Sequence, residues 1–244
     1  MAPLLSVKNL AFSYADRNFG PLGKKILKPV LHGISFKIEE GEIFGLVGAS
    51  GAGKSTLGKC LLGLLDYTGD IFIDGIRQGP FLRPGQRKLL AARVQGVFQN
   101  PGAALNPVMP IGRLLDEAVR TSGVQDKTER GKRSDEILEL VGLDSSVKKR
   151  RADELSSGQK QRVCIGCALS FRPRLIIADE AVSSLDVSAG AQILNLFSGL
   201  RERLGLALLF ISHNLEAVHY LSDRVAVLEG GTLTGDGQDP PRLP

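Results

Sequence analysis

The chain has 244 residues, 43% of them hydrophobic and 23% charged, and its formal net charge is +5 at pH 7. This length and apolar content suit one large α/β domain with its own core, and no apolar run approaches the roughly 18 to 20 residues of a membrane-spanning helix. The basic residues are scattered apart from 148–151 and there is no Trp, which disfavours nucleic acid and favours an anionic ligand or an anionic membrane surface.

The first hundred residues predict a small β part that leads into an α/β core. The predicted elements are strands at 4–10, 31–38, 42–47 and 91–99, an exposed loop at 15–29, and a helix at 54–65. The run 42–47 is nearly all apolar and lies between two glycines. Such a run is typical of a strand that is buried on both faces of a parallel sheet.

The middle of the chain changes to helical periodicity, with amphipathic stretches at 111–120 and 134–141. After it the predicted elements are strands at 175–178, 206–211 and 224–228 and helices at 188–204 and 215–221. A Gly- and Pro-rich tail at 230–244 is expected to end in a loop. Alternating strands and helices indicate a mostly parallel sheet with helices on both faces. We therefore expect an α/β core (1–99 and 173–244) with a small N-terminal β part and an inserted α-helical subdomain (100–172).

The N-terminus and the cysteines indicate in which cellular compartment the protein works. Residues 1–8 lack the charged-then-apolar pattern of a signal peptide, so we expect a cytoplasmic protein. The three cysteines Cys60, Cys164 and Cys167 are too few for a disulfide framework. The last two form a C-x-x-C inside an apolar helical run without a second Cys or His pair nearby, so burial in a helix is favoured over a metal site.

A glycine-rich loop joins the strand 42–47 to the helix 54–65, and this order is the context of a P-loop. Its small residues let backbone N–H groups form an anion nest, to which the helix adds its positive N-terminal end. Lys54 is expected to reach the β- and γ-phosphates and the Ser55 hydroxyl to bind Mg²⁺. ATP and Mg²⁺ are the predicted ligands. The predicted phosphate-binding residues are Gly48, Ala49, Ser50, Gly51, Ala52, Gly53, Lys54, Ser55 and Thr56.

The apolar strand 175–178 is followed by two carboxylates, Asp179 and Glu180. We expect Asp179 to hold Mg²⁺ and Glu180 to polarise the attacking water. The alternative is a strand that stops at a solvated acidic turn, which a P-loop in the same chain makes less attractive. Kinases, GTPases and helicases also combine these two features, so they do not define the class of P-loop protein.

The residues Leu155-Ser156-Ser157-Gly158-Gln159 separate these classes, and through them the chain resembles the ABC ATPase family. The family signature is usually Leu-Ser-Gly-Gly-Gln, and here Ser157 replaces a glycine with another small residue. The resemblance implies two subunits paired head to tail, with Ser156, Ser157, Gly158 and Gln159 acting on ATP held by the partner's P-loop. A P-loop kinase would lack this signature.

Three further positions match the family in order and spacing. The resemblance implies that Gln99 senses Mg²⁺ and the attacking water and couples the site to the helical subdomain. It implies that Asp186, in Ser183-Ser184-Leu185-Asp186, belongs to a loop that touches the partner subunit near its nucleotide. His213 is implied to contact the γ-phosphate; taken alone, a histidine after an apolar strand is often only a turn residue.

An aromatic ring after the first strand is implied to stack on adenine. Tyr14 is the favoured candidate and Phe12 the other one. Stacking adds about 1 kcal/mol beyond simple burial. Core packing of either ring is the alternative.

Two longer stretches resemble the dipeptide, oligopeptide and nickel importer ATPases. These are 98–107, Phe-Gln-Asn-Pro-Gly-Ala-Ala-Leu-Asn-Pro, and 179–188, in which Ala181 stands where most ABC proteins have Pro. Ala181 and the run 161–164 resemble nickel-uptake subunits in particular. Members usually continue past the last strand into a Pro-containing extension, some with a cysteine cluster, and neither occurs up to Pro244.

The resemblance implies an ATP-binding and ATP-hydrolysing subunit of an ABC importer, peripheral on the inner face of the cell membrane. It would drive a peptide, nickel or a metal chelate through permease subunits that are served by a substrate-binding protein. Its partner would be a second ABC ATPase, identical or not. The alternative is a soluble ABC ATPase that acts on ribosomes or DNA. Such proteins usually carry a tandem ABC domain or a long coiled coil, which this sequence does not show.

Overall fold

The computed structural model describes residues 2–19, 25–80 and 82–234. Its strands are β1 (Leu5–Phe19), β2 (Lys25–Ile38), β3 (Ile43–Val47), β4 (Thr68–Ile73), β5 (Ile76–Gln78), β6 (Val94–Phe98), β7 (Leu175–Asp179), β8 (Ala207–Ile211), β9 (Arg224–Glu229) and β10 (Thr232–Thr234). The α-helices are α1 (Lys54–Leu61), α2 (Pro84–Ala91), α3 (Pro101–Ala104), α4 (Ile111–Ser122), α5 (Lys127–Leu140), α6 (Ser157–Leu169), α7 (Val187–Leu204) and α8 (Leu215–Leu221). Short 3₁₀ helices occur at Ser145–Lys149 and Ala152–Glu154.

The central sheet has six strands in the order β10-β9-β3-β8-β7-β6. Adjacent strands of this sheet are parallel, except that β10 is antiparallel to β9. Every residue of β3, β7 and β8 is buried, which explains why these strands are apolar runs in the sequence apart from Asp179 at the end of β7. The predicted parallel sheet is confirmed. The tail predicted at 230–244 contains β10 at 232–234, which pairs with β9, and the loop expected at its end lies outside the described residues, which stop at 234.

The second sheet is antiparallel, with the order β2-β1-β4-β5. The loop predicted at 15–29 is wrong over most of its length, because β1 and β2 continue as a hairpin in which Ala15 lies opposite Leu27. Residues 20–24 of that stretch lie outside the described part. Several register shifts interrupt the pairing, so the polar segment lacks the regular alternation by which strands are recognised. The elements β4, β5 and α2 were also not predicted.

The hydrophobic side chains form separate clusters on the two sides of the central sheet and among the helices. The helical cluster contains only residues between 105 and 163, including Ile111, Leu115, Ile137 and Val163. Ile165 and Leu169, further along α6, instead pack in a cluster that covers the central sheet. Helix α6 therefore joins the helices of 100–172 to the α/β core.

The C-x-x-C lies on α6, as its apolar neighbours indicate. Within the described ranges, no group of three or more His, Cys, Asp or Glu side chains could hold a metal ion. No described helix has the length and apolar content needed to cross a membrane. Cys164 and Cys167 both pack against the helical hydrophobic cluster.

The three thiols are expected to be nearly inert in the folded protein at pH 8. Burial raises the pKa of Cys60 and of Cys164 to about 12 and that of Cys167 to about 11. Only the thiolate is nucleophilic, and at pH 8 its fraction is about 10⁻³ or less at such a pKa, against roughly a quarter for a free cysteine. Thiol modification followed by mass spectrometry should be slow when folded, faster as the pH rises and fast in denaturant. Rapid labelling of folded protein at pH 8 would contradict this.

Candidate nucleotide-binding site

The loop 48–53 lies between the end of β3 and the start of α1, and its glycines are required sterically. A Cβ on Gly48 would lie 2.3 Å from the backbone oxygen of Leu228. Gly53, which caps α1, has φ of 107° and Gly51 has φ of 81°, and both values lie in the left-handed region that side chains disfavour. The loop can therefore bend tightly, and its N–H groups and the α1 N-terminus can serve one anion.

Lys54 is the first residue of α1 and is only 7% exposed. Its Nζ donates to the backbone oxygens of Gly48 at 2.7 Å and Ala49 at 3.2 Å. The ammonium group is thus held directly over the loop. A phosphate in the loop would meet this charge at short range, in a partly buried setting where charge-assisted hydrogen bonds are strong.

A pocket of about 620 Å³ opens beside the loop, a volume in the range of small-molecule and cofactor sites. Ten of the residues predicted to serve ATP line it: Tyr14, Ser50, Gly51, Gly53, Lys54, Ser55, Thr56, Gln99, Glu180 and His213. Lys28 and Val30 of β2 line it as well. The sequence did not predict them, because Lys28 lies in the stretch 15–29 that was expected to be a loop and Val30 directly follows it. The hairpin of β1 and β2 brings both residues to the pocket.

Ser55 and Asp179 approach each other where α1 begins and β7 ends. The Ser55 Oγ donates to the Asp179 Oδ1 at 3.0 Å. Burial raises the pKa of Asp179 above its ordinary value and the charge of Glu180 adds to this, while the Ser55 hydrogen bond and the charge of Lys54 oppose it. Hydroxyl and carboxylate oxygens suit Mg²⁺, which usually takes one or two protein oxygens plus phosphates and water. Gln99 lines the same pocket.

Glu180 and His213 meet across the end of the sheet. Glu180 follows β7 and His213 follows β8, and because these neighbouring strands are parallel their carboxyl ends share one edge. His213 Nδ1 lies 2.8 Å from the Glu180 Oε2. Glu180 has φ of 54°, a strained value for a non-glycine residue of the kind that clusters at functional sites. Its backbone N–H donates to Ile211 at 2.9 Å, which fixes the turn.

The signature residues lie in another cleft, which is lined by Ser156, Gly158, Gln159 and Asp186 and does not share residues with the first pocket. Ser156 caps α6: its hydroxyl accepts from the Gln159 N–H at 3.3 Å, and the Gln159 Oε1 accepts from the Ser156 N–H at 3.1 Å. Ser157 is the exposed first residue of α6. Asp186 caps α7 by accepting from the Ala189 N–H. Within one chain the structure therefore does not bring these residues to the P-loop.

The two aromatic candidates occupy different surroundings. Tyr14 is 41% exposed and lines the P-loop pocket, and its hydroxyl lies 3.4 Å from the Thr56 Oγ1. Phe12 packs against the buried core and does not line that pocket. The two rings are in edge contact, with centroids 4.7 Å apart. Of the remaining predicted residues, Ala52 packs on the core, while Gly48 and Ala49 supply the carbonyls that bind Lys54.

Comparison with known proteins agrees with these features. A family model described as ABC transporter matches residues 31–183. A Brucella abortus (strain 2308) protein that is provisionally named a peptide import ATP-binding protein is 45% identical over 223 residues, which are 91% of this chain and 67% of that protein. A Brucella ovis protein of the same name is 44% identical over 232 residues, 95% of this chain and 71% of that protein.

Solved structures agree with this assignment. CbiO1 from Clostridium perfringens, described as part of the ABC transporter complex CbiONQ, has a TM-score of 0.84 at 27% identity over 96% of this chain and 88% of that one. A dimeric post-hydrolysis structure of the ATP-binding cassette MJ0796 bound to ADP and Pi has a TM-score of 0.79 at 26% identity, and the match covers 95% of this chain and 97% of that one. The P-loop NTPase fold is confirmed. This chain belongs to the ABC transporter family and is one of its ATP-binding, ATP-hydrolysing subunits.

Proposed function

We propose that this chain drives an importer by pairing head to tail with a second ABC ATPase subunit, each completing the other's ATP site. The separation of the P-loop pocket from the signature cleft within one chain carries this proposal. A nucleotide in the pocket would meet Lys54, Glu180 and His213, whereas the signature residues of the same chain line the other cleft. A second subunit that presents Ser156 to Gln159 would supply the missing donors.

In the proposed reaction the P-loop N–H groups and Lys54 hold the β- and γ-phosphates, and Tyr14 stacks on adenine. Ser55, Asp179 and Gln99 would hold Mg²⁺, which neutralises charge that develops on the phosphoryl group. Glu180 polarises the attacking water. His213 orients the Glu180 carboxylate through the 2.8 Å contact and would contact the γ-phosphate. Stabilisation of charge on the transferred group is the main catalytic task.

The helical part, for which we propose the boundaries 100–172, would pass the closing and opening of the ATPase pair to membrane permease subunits. The chain would then be peripheral on the inner face of the cell membrane. A substrate-binding protein would act on the outer side of the permease. The formal net charge of the chain, +5 at pH 7, is consistent with binding beside an anionic membrane surface.

We favour a peptide as the transported substrate over nickel or another metal chelate. The Brucella relatives are named for peptide import, whereas the nickel interpretation rests on Ala181 and the short run 161–164. The ATPase itself does not contact the substrate in this scheme. Uptake assays with labelled peptides and with nickel, in cells lacking the gene, would separate the two.

Co-purification from membranes tests the importer proposal. The tagged chain, solubilised in mild detergent, is expected to bring integral permease subunits with it, and Glu180→Gln with ATP should strengthen its pairing with a second ATPase. Recovery with ribosomes or DNA instead would favour the non-transport alternative and contradict the proposal.

Tyr14→Ala is expected to weaken ATP binding by about 0.5 to 1.5 kcal/mol, the usual worth of an aromatic stack beyond its burial. Phe12→Ala should leave ATP affinity nearly unchanged and lower the free energy of unfolding, because Phe12 packs against the core. Titration with a fluorescent ATP analogue and denaturant unfolding measure the two effects. The reverse pattern would assign adenine stacking to Phe12.

A further inference from the structure

Gln161 is a fully buried polar side chain on α6, with 0% exposure. Its Nε2 donates to the backbone oxygen of Phe98 at 3.4 Å, a long hydrogen bond. Its Oε1 is buried too and has no hydrogen-bond partner among the described residues. Reversing the amide would not help, because it would place that oxygen against the Phe98 carbonyl, which is also an acceptor.

Packing does not account for a glutamine at this position. A buried acceptor without a partner is unfavourable, so an apolar side chain of the same shape would remove that cost and offset the loss of the long hydrogen bond to Phe98. Only a few buried polar groups in a folded protein lack a partner. The useful contact of Gln161 is therefore the one to Phe98, the residue directly before Gln99.

The chain around Gln99 is held at three carbonyls between 98 and 101 by side chains from two other elements. The carbonyl of Phe98 accepts from Gln161 and that of Gln99 accepts from the Ser184 Oγ at 2.9 Å. The carbonyl of Pro101 accepts weakly from the Cys164 Sγ at 3.9 Å. Gln161 and Cys164 lie three residues apart on α6, one turn beyond the signature at its N-terminus, whereas Ser184 belongs to the loop that ends at Asp186.

These contacts connect the two clefts. Gln99 lines the P-loop pocket, while α6 and the loop before α7 line the signature cleft. A displacement of the α6 N-terminus, where a partner's nucleotide would bind, must either move the backbone at 98–101 or break the Gln161 contact. Because α6 also packs against β6 and α3, the backbone at 98–101 is expected to move together with α6.

We propose that Gln161 is a positioning residue for Gln99, linking the signature helix to the backbone that carries Gln99 so that both clefts move together. The inference rests on the proposed role of Gln99 in ATP turnover. Gln161 itself touches neither the P-loop pocket nor the signature cleft. It acts only through the Phe98 carbonyl.

Gln161→Met keeps the length of the side chain and removes both polar atoms. We expect faster hydrogen exchange of the amides in 98–105, unchanged exchange in α4 and α5, and a midpoint of thermal unfolding close to that of the wild type. We expect kcat for ATP to fall by about two- to thirty-fold, the size of effects along coupled networks, with KM for ATP nearly unchanged. Ser134→Ala is the control: Ser134 is also buried and polar, but it donates to Arg130 on its own helix.

The double variant Gln161→Met with Gln99→Ala distinguishes positioning from general weakening. If Gln161 acts through Gln99, the double variant should be no slower than Gln99→Ala alone, because neighbours in one pathway are not additive. Multiplied losses, or wild-type kcat in Gln161→Met while Gln99→Ala is impaired, would overturn this inference and leave the proposed function intact. Wild-type turnover in Gln99→Ala would overturn the proposed role of Gln99 and this inference with it.

Discussion

Glu180→Gln is expected to lower the steady-state ATPase rate about 100- to 10,000-fold, the usual contribution of a general base. Glutamine has the same shape but cannot accept a proton from the attacking water. The carboxylate is well placed for this role, because it lines the P-loop pocket and its oxygen lies 2.8 Å from His213. ATP binding should persist, since the phosphate contacts of Lys54 and the loop are untouched.

The measurement is phosphate release at saturating ATP, together with equilibrium binding of an ATP analogue. Glu202→Gln is a matched control, because Glu202 is an exposed glutamate on α7 away from the pocket, and it should keep the wild-type rate. A folded Glu180→Gln protein that turns over ATP at nearly the wild-type rate would show that the role assigned to Glu180 is wrong.

Lys54→Ala is expected to weaken ATP binding itself, by about 1.5 to 3 kcal/mol for each hydrogen bond lost to a charged group. A loss of that size raises Kd about ten- to 150-fold. The physical reason is that Lys54 is buried at the loop and its ammonium group is held at the loop by the carbonyls of Gly48 and Ala49. Turnover should fall as well, because the same charge stabilises the transferred phosphoryl group.

Lys59→Ala provides the comparison for Lys54→Ala. Lys59 is on the same helix but exposed and near its other end, so its removal changes the net charge equally without touching the pocket. Calorimetric titration with ATP and Mg²⁺ should give wild-type affinity for Lys59→Ala. Equal losses in both variants would show that overall charge, and not a direct contact, governs binding.

Sequence and structure agree best for features that depend on residues close together in the chain. The P-loop is a run of consecutive residues whose small side chains and φ preferences act on their own neighbours, so its conformation is readable without a fold. The same holds for the signature, where Ser156 and Gln159 cap one helix end. Strands β3, β7 and β8 are recognisable because burial on both faces favours near-continuous apolar runs, which in β7 end at the buried Asp179.

The hairpin of β1 and β2 shows the opposite case. Its strands are stabilised by pairing with each other across register shifts, and neither strand has an alternation of its own along the polar stretch 15–29. The sequence therefore did not predict that Lys28 and Val30 line the pocket. Ser184 and Gln161 were equally hidden, since their contacts with 98–101 join residues 63 to 85 positions apart.

By itself, the sequence determined the P-loop, the acidic end of β7, the signature and hence the family, because each depends on the chemistry of residues adjacent in the chain. Only the tertiary structure decided that Tyr14 and not Phe12 faces the pocket, that Glu180 meets His213, and that the signature lies in a separate cleft. Those outcomes depend on which strand ends share an edge and which helix faces pack, and such long-range geometry has no signal in any short stretch of sequence.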